Sequence, residues 1–270
     1  MSLDPHDWLG LAGKLCVVTG AGGGVGAALA VNFAGVGARV ALLDRDEAAA
    51  ARTAADVMRA TGSEAMILAC DVADPTSVAA AAECVATTLG AADVLVNNAA
   101  LLRPGALADL AFSEWRTLLS VNLDGYFLCA QTFGRQMAEK GGGAMVHVAS
   151  ISGSHPQPVS GAYSISKAGI LMLSRQIAVE WGPKGIRSNV VSPGMVETPM
   201  SRPFYDKPGV RETRSAAVPS RRIGKPQDMA DAALFLASAR ASYVTGEEIL
   251  VDGGFGRMIM GLAPRPGYEG

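Results

Sequence analysis

The stretch Lys14-Leu-Cys-Val-Val-Thr-Gly-Ala-Gly-Gly-Gly-Val-Gly26 decides the fold class. Its first six residues form a short apolar run, which predicts a buried β-strand. The glycines that follow permit a tight turn, close approach of the backbone to a pyrophosphate and close packing of a helix on the strand. Their spacing is GxxxGxG rather than GxGxxG. A flexible glycine loop is the alternative, but the helical pattern that continues to about Val36 favours a phosphate-binding turn.

An acidic residue ends the second predicted strand. Residues 38–43 form an apolar run, and Asp44 comes directly after it. A carboxylate at this place can accept hydrogen bonds from the adenosine ribose hydroxyls and repels a 2′-phosphate. We therefore predict NAD as the cofactor. Arg45 is next in the chain, and an arginine here can accommodate a 2′-phosphate, so NADP remains the alternative.

The rest of the chain alternates between strand and helix patterns. Further strands are predicted at 64–70, 92–96, 144–149, 186–191 and 249–251. This alternation predicts an α/β fold: a single-domain, Rossmann-type, doubly wound parallel sheet of about seven strands with helices on both faces. We assign residues 1–270 to one domain, with three segments outside the pattern: an N-terminal extension (1–12), a substrate-loop lid (201–226) and a C-terminal tail (255–270).

Polar residues follow the third and fourth predicted strands. Asp71 is placed to meet an adenine, whereas Asp74, directly before Pro75, is predicted to cap a helix. Asn97 and Asn98 follow the fourth strand. Amides at the mouth of a sheet either tie loops together or line a ligand crevice, and both readings stay open.

Asn122 lies on the apolar face of a long helix predicted from Ser113 to about Lys140, with Ser113 as the N-cap. A buried asparagine must be hydrogen-bonded. It is either a structural amide or an anchor for a water or a neighbouring side chain.

Tyr163 and Lys167 stand at i and i+4 in a helical pattern, so both side chains leave one face. An ammonium beside a phenol favours the phenolate and is expected to lower the pKa of the tyrosine, as proton transfer near neutral pH requires. Taken alone, such a pair also occurs by chance on solvated faces. Ser150 directly follows the fifth predicted strand; Ser152 and Ser154 are rival serines.

A mixed set of residues is predicted to form the substrate wall. His155 either meets a polar substrate or is an exposed loop residue. The predicted wall residues are His155, Gln157, Val159, Met195, Phe204 and Tyr205.

Composition excludes several classes of partner. The net charge is −2 and the charged content is 18%, without a basic run, which argues against nucleic acid and anionic membranes. No apolar run is long enough to span a bilayer and the first residues lack the regions of a signal peptide, so a cytoplasmic protein is expected. The four scattered cysteines form no CxxC pair, which favours free thiols over a disulfide or a metal site.

The combined motifs resemble the short-chain dehydrogenase/reductase (SDR) family in its short single-domain form. One departure is Ala100, where the family often has glycine. The resemblance implies NAD(P)-dependent interconversion of a secondary alcohol and a ketone, usually in a homotetramer. The matching motifs are Thr19-Gly-x-x-x-Gly-x-Gly26, Asn97-Asn-Ala99, Asn122, Ser150, Tyr163-x-x-x-Lys167 and Pro193-Gly194.

The resemblance also implies roles for individual residues. Tyr163 would be the general acid/base and Ser150 would hydrogen-bond the reacting oxygen. Lys167 would bind the nicotinamide ribose and lower the tyrosine pKa, and Asn122 would hold a water of a proton relay. The implied cofactor residues are Gly20, Gly22, Gly24, Val25, Gly26, Asp44, Arg45, Asp71, Val72, Asn98, Ala99, Ala100, Val121, Tyr163, Lys167, Pro193, Gly194, Val196 and Thr198. The implied substrate residues are Ser150, Ser152, His155, Tyr163, Met195 and Phe204, and no metal is expected.

Three other functions remain open from the sequence. They are an NADP-dependent reductase of 3-oxoacyl thioesters, a non-catalytic dinucleotide-binding regulator, and a member of the larger epimerase/dehydratase branch. The regulator has no need of a Ser, Tyr and Lys set. The epimerase branch normally has a separate substrate domain, for which this chain has no room.

Overall fold

The computed structural model describes residues 7–262, with side chains described as far as Met258. Strands and helices alternate along this range, as predicted. The first half contains β1 (Leu15–Thr19), α1 (Gly24–Gly35), β2 (Arg39–Asp44), α2 (Glu47–Thr61), β3 (Ala65–Ala69), α3 (Pro75–Leu89), β4 (Val94–Asn97), α4 (Phe112–Leu119) and α5 (Gly125–Glu139). The second half contains β5 (Gly143–Val148), α6 (Tyr163–Trp181), β6 (Ile186–Pro193), α7 (Arg202–Tyr205), α8 (Val210–Ala217), α9 (Pro226–Ala237) and β7 (Glu248–Val251).

The strands form one parallel sheet in the order β3-β2-β1-β4-β5-β6-β7. This confirms the predicted doubly wound fold. The strand order reverses between β1 and β4, which are neighbours in register, with Val18 opposite Val96. Ligands of such sheets bind at this reversal, beyond the carboxyl ends of the strands. The glycine turn after β1 and the two asparagines at the end of β4 therefore lie side by side.

Alternating side chains of each central strand enter two separate cores. In β1, Cys16 and Val18 pack with α1 and α9 on one face of the sheet. Leu15 and Val17 pack with α3 and α5 on the other face. Burial on both faces fixes the strand ends that carry the site. All four cysteines are free thiols, and Cys84 alone among them is not fully buried.

The helix predicted from 113 to 140 is interrupted, and its predicted N-cap is wrong. The helix begins at Phe112, so Ser113 lies inside the first turn, and no side chain caps it. A π-helical turn, Ser120–Asp124, then separates α4 from α5. It contains Asn122, whose side-chain hydrogen bonds to a neighbouring loop are described below. Such wide turns inside a helix often mark functional sites.

The segment 201–226 contains more regular structure than predicted, since α7, α8 and the first residue of α9 lie within it. None of the residues of α8 is fully buried. Of the predicted extension (1–12) and tail (255–270), only residues 7–12 and 255–262 are described. Among the described helices, none has the length and apolar character needed to cross a membrane.

Candidate active site

A cleft of about 1280 Å³ runs along the carboxyl ends of the strands, from the glycine turn to the start of α6. It brings together nearly all of the residues predicted for the cofactor and the substrate. Gly26 and Asn122 are the two exceptions among them, because both lie beneath its surface. Gln157, Val159 and Tyr205 of the predicted wall also line it. One cleft thus joins the two halves of the predicted site.

At two positions of the glycine turn, neighbouring backbone atoms exclude a side chain. Gly20 has a positive φ of 62°, and a Cβ added there would lie 2.6 Å from the Ala99 Cα. A Cβ on Gly26 would lie 2.0 Å from the Gly20 carbonyl oxygen. The Asn98 side chain donates hydrogen bonds to the carbonyls of Thr19 (3.1 Å) and Gly20 (3.0 Å). Asn98 therefore ties the turn together while also lining the cleft.

Asp44 is held in a fixed orientation at the end of β2. Its Oδ2 accepts a hydrogen bond from the Gly22 N–H (2.7 Å), and its Oδ1 accepts one from the Asp46 N–H (2.9 Å). Arg45 and Asp71 line the same end of the cleft. A carboxylate fixed by two backbone donors keeps further lone pairs for ligand hydroxyls.

The amide of Asn97 is structural. It is buried, and its Nδ2 donates to the Tyr126 carbonyl (3.1 Å) and lies 3.2 Å from His147 Nδ1. Two roles were open for Asn97 and Asn98: tying loops together or lining a ligand crevice. Both side chains tie neighbouring segments together, and Asn98 also lines the cleft. Asp74 caps α3 as predicted, accepting from the Thr76 N–H at 2.9 Å.

Ser150, Tyr163 and Lys167 meet at the opposite end of the cleft. Tyr163 is the first residue of α6, and Lys167 Nζ lies 5.6 Å from the centroid of its ring, one helical turn on. Ser150 follows β5, lines the cleft with Tyr163 and is close enough to the phenol to affect its pKa. Its Oγ also accepts from the Ser152 N–H (3.1 Å), which fixes the serine in place. Ser154 instead donates to Glu248 (3.2 Å), away from the phenol.

The pKa of Tyr163 differs from the expectation drawn from the Tyr–Lys spacing. Burial raises this pKa above its ordinary value, and the effect of Ser150 opposes the rise. Burial also lowers the pKa of Lys167 to about 7, so its charge is partly lost at neutral pH. Desolvation disfavours the charged form of both groups, and this outweighs the helical proximity from which a lowered phenol pKa was predicted.

Lys167 is positioned by a tyrosine that the sequence did not indicate. The Lys167 Nζ donates to the Val148 carbonyl at 2.9 Å, and the Tyr126 hydroxyl donates to the same oxygen at 2.8 Å. The Lys167 Nζ also lies 5.3 Å from the Tyr126 ring centroid. In the sequence, Tyr126 is marked only by its position one helical turn after Asn122. The Val148 carbonyl, which both groups share, fixes the Lys167 ammonium beside the Tyr163 phenol.

The Asn122 side chain is a structural anchor. Its Oδ1 accepts from the Leu101 N–H (2.7 Å), and its Nδ2 donates to the Leu101 carbonyl (2.9 Å) and to Ser166 Oγ (3.3 Å). These bonds fix the loop after β4 against α6. A role for Asn122 in holding a relay water stays a prediction.

The wall beyond Tyr163 contains a strained residue. Val159 has a positive φ of 59°, a region that β-branched residues rarely enter. The Gly105 N–H donates to the Val159 carbonyl (3.0 Å), and the Gly161 N–H donates to the Gly105 carbonyl (2.9 Å). Strain of this kind concentrates at binding sites. Arg214, Phe255 and Met258 also line the cleft, and no sequence pattern indicated them.

His147 connects the sheet to α6 through a buried network. Its Nε2 lies 3.1 Å from Ser188 Oγ, which lies 2.9 Å from Ser174 Oγ. The Asn97 amide donates to Nδ1, so the neutral ring must carry its proton on Nε2. A second proton on Nδ1 would break that bond. Burial lowers the pKa of His147 to about 4.

The network makes folding stability sensitive to acid. In the unfolded chain the residue at position 147 is protonated near pH 6.5, whereas in the folded protein it is protonated only near pH 4. The free energy of unfolding therefore falls as the pH drops through this interval. Between pH 7 and about pH 4.5, we expect the free energy of unfolding of His147→Gln to fall by about 2 kcal/mol less than that of the unmodified protein. Urea unfolding of both proteins at the two pH values measures this. Equal losses would contradict a neutral, buried His147.

Comparison with known proteins agrees with this geometry. A family model described as "Enoyl-(Acyl carrier protein) reductase" matches residues 20–256. The D-threitol dehydrogenase of Mycolicibacterium smegmatis is 39% identical over 245 residues, covering 91% of this chain and 94% of the relative.

Two solved structures show the same fold. The gluconate 5-dehydrogenase of Burkholderia cenocepacia, in complex with NADP and tartrate, has a TM-score of 0.88 at 33% identity and covers 93% of this chain and 98% of its own. A 7α-hydroxysteroid dehydrogenase complexed with NADH has a TM-score of 0.88 at 32% identity and covers 94% and 98%. The chain therefore belongs to the short-chain dehydrogenase/reductase family and is an oxidoreductase acting on CH–OH groups.

Proposed function

We propose that the protein is an NAD(H)-dependent dehydrogenase that interconverts a secondary alcohol and a ketone, with Tyr163 as general acid/base. One observation carries this proposal: a single cleft holds Ser150, Tyr163 and Lys167 at one end and the glycine turn with Asp44 at the other. A binding protein without catalysis would need only the second end. Membership of an enzyme family also removes the regulator reading.

The residues at the glycine end fit a dinucleotide. The positions where a Cβ would clash, Gly20 and Gly26, leave backbone free to approach a pyrophosphate near the start of α1. Asp44, already oriented by two backbone donors, would accept hydrogen bonds from the adenosine ribose. Lys167 would hold the nicotinamide ribose. When bound, the dinucleotide supplies or accepts the hydride.

The residues at the other end fit proton transfer to and from the substrate oxygen. In the oxidation direction, Tyr163 would take the hydroxyl proton while Ser150 donates a hydrogen bond to the same oxygen. Lys167, which Val148 and Tyr126 hold next to the phenol, would stabilise the phenolate when charged. The reverse proton movements serve ketone reduction.

An assay of NAD⁺ reduction over secondary alcohols tests the function. The panel includes the substrates named for related proteins, D-threitol and gluconate, together with a 7α-hydroxysteroid. We expect reduced nicotinamide to form with at least one broad class of secondary alcohol. Binding of NADH with no oxidation of any alcohol and no reduction of any ketone would contradict the proposal.

Cofactor choice gives a separate prediction for Asp44. Asp44→Ala removes the carboxylate that would repel a 2′-phosphate, so the preference for NAD over NADP should fall by about tenfold or more. The ratio of kcat/KM for the two cofactors measures it. Asp74→Ala is the matched control, because Asp74 caps a helix outside the cleft and its loss should leave the ratio unchanged. Equal use of both cofactors by the unmodified protein would refute the assignment.

An NADP-dependent reductase of 3-oxoacyl thioesters is the second candidate function. The matching family model is described as a reductase of acyl carrier protein substrates, which favours this candidate. Arg45, beside Asp44 in the cleft, could donate hydrogen bonds to a 2′-phosphate. NADPH oxidation with an acetoacetyl thioester distinguishes it from the first candidate. Assembly into a homotetramer and a cytoplasmic location are further proposals, which rest on the family resemblance and the sequence.

A further inference from the structure

Arg214 places a positive charge in the cleft, and no acidic side chain of the described residues pairs with it. It lies in α8, is half-buried and lines the cleft beside Phe204 and Tyr205. Its guanidinium carbon lies 5.1 Å from the Tyr205 ring centroid and 5.7 Å from that of Phe204. Within residues 7–258, its side chain makes no hydrogen bond and no ion pair. The aromatic rings shield the cation from water without neutralising it.

The carboxylates of the cleft lie at its other end. Of the described lining residues, Asp44 and Asp71 alone are acidic. They lie at the carboxyl ends of β2 and β3, at one side of the sheet, whereas α8 comes after β6, on the opposite side of the β1–β4 reversal. A ligand reaching past Tyr163 toward α8 therefore meets a cation and, among the described lining residues, no fixed anion.

Contacts before and after Arg214 in the chain hold its helix in place. Arg211, one turn earlier in α8, pairs with Glu197 at 2.8 Å. After the helix, the Ser220 N–H donates to the Gly253 carbonyl at 3.1 Å. Arg211 does not line the cleft. The two arginines of α8 thus differ: Arg211 pairs with a carboxylate of the protein, whereas Arg214 faces the ligand space.

We propose that Arg214 binds a carboxylate of the substrate, so that the substrate is a hydroxy acid or oxo acid whose carboxylate is remote from the reacting carbon. This rests on the proposed function, since it concerns the substrate of the same site. The planar guanidinium matches a carboxylate with two parallel hydrogen bonds. One cation in a mostly apolar surrounding favours a monoanion.

Binding to the complex of enzyme and NADH tests the proposal without turnover. The probes are two isosteric pairs, cyclohexanecarboxylate with cyclohexanecarboxamide, and hexanoate with hexanamide, measured by calorimetry. In the unmodified protein, at least one carboxylate should bind about tenfold or more tightly than its amide. Arg214→Met should abolish this preference and leave amide binding unchanged. Arg211→Met, the matched control, should retain it.

Several results would overturn the proposal: equal binding of acid and amide, no binding of either acid, or a preference that survives in Arg214→Met. Weaker NADH binding by Arg214→Met, with the acid preference retained, would assign the arginine to the cofactor instead. Failure of the proposed function is distinguishable. In that case the acid preference depends on Arg214 as expected, yet no alcohol or ketone is turned over.

Discussion

Tyr163→Phe should reduce turnover by about a thousandfold or more while the Kd for NADH changes less than about twofold. The change removes one hydroxyl, and with it the group that would exchange a proton with the substrate oxygen, an effect of about 10²–10⁴-fold in general acid/base catalysis. The ring remains to fill its place at the start of α6. Steady-state kinetics and fluorescence titration with NADH measure the two quantities.

Tyr243→Phe is the matched control for the loss of a tyrosine hydroxyl. Tyr243 is fully exposed, so its variant should keep both turnover and cofactor affinity. Turnover by Tyr163→Phe within a few fold of the unmodified protein would remove the tyrosine from the mechanism. A matching loss of NADH affinity would indicate a structural role for the hydroxyl rather than proton transfer.

Gly26→Ala should lose dinucleotide binding by about a hundredfold or more and destabilise the fold. The added Cβ would lie 2.0 Å from the Gly20 carbonyl and 2.7 Å from the Asn98 side chain. That side chain holds the carbonyls of Thr19 and Gly20, so the clash must displace the turn itself. Overpacking commonly lowers the free energy of unfolding by about 1–3 kcal/mol. Because the clash here is with backbone, which cannot move aside easily, we expect a loss at or above the upper end of this range.

Gly35→Ala is the matched control, because Gly35 belongs to the same helix. It separates the effect of the clash at Gly26 from the general effect of replacing a helical glycine by alanine. Apart from its chain neighbours and the backbone of its own helix, no described atom lies within 4 Å of a Cβ on Gly35. Its NADH affinity and unfolding free energy should equal or exceed those of the unmodified protein. Urea unfolding and NADH titration are measured on both variants. Normal NADH affinity in Gly26→Ala would show that the turn is not the phosphate site.

Much of the fold was predictable because its causes are local. The apolar run before Gly20 and the spacing of the glycines determine a strand, a turn and a helix, and repetition of this alternation determines the sheet. The cleft follows from the reversal of strand order between β1 and β4, which places the predicted residues at one edge. The positions of Ser150 and Tyr163 follow from the end of β5 and the start of α6.

Other parts depend on tertiary contacts that no short pattern encodes. The pKa of Tyr163 follows its burial and the effect of Ser150, and not the helical spacing from Lys167 on which the prediction was based. Tyr126 supports Lys167 through the Val148 carbonyl, a contact between residues distant in sequence. Arg214 lies on a short helix without fully buried residues, so periodicity indicated neither the helix nor the direction of the side chain. The structural roles of the Asn97 and Asn122 side chains likewise depend on partners from other elements.

Transfer of a labelled hydrogen tests the central claim most directly. The protein is incubated with NAD⁺ and a secondary alcohol carrying deuterium on its carbinol carbon, and the reduced cofactor is analysed by mass spectrometry and NMR. Direct hydride transfer in the cleft predicts one deuterium on the nicotinamide ring of each reduced cofactor, and none with Tyr163→Phe over the same time. Reduced cofactor without deuterium, or ketone formation without reduced cofactor, would contradict the account.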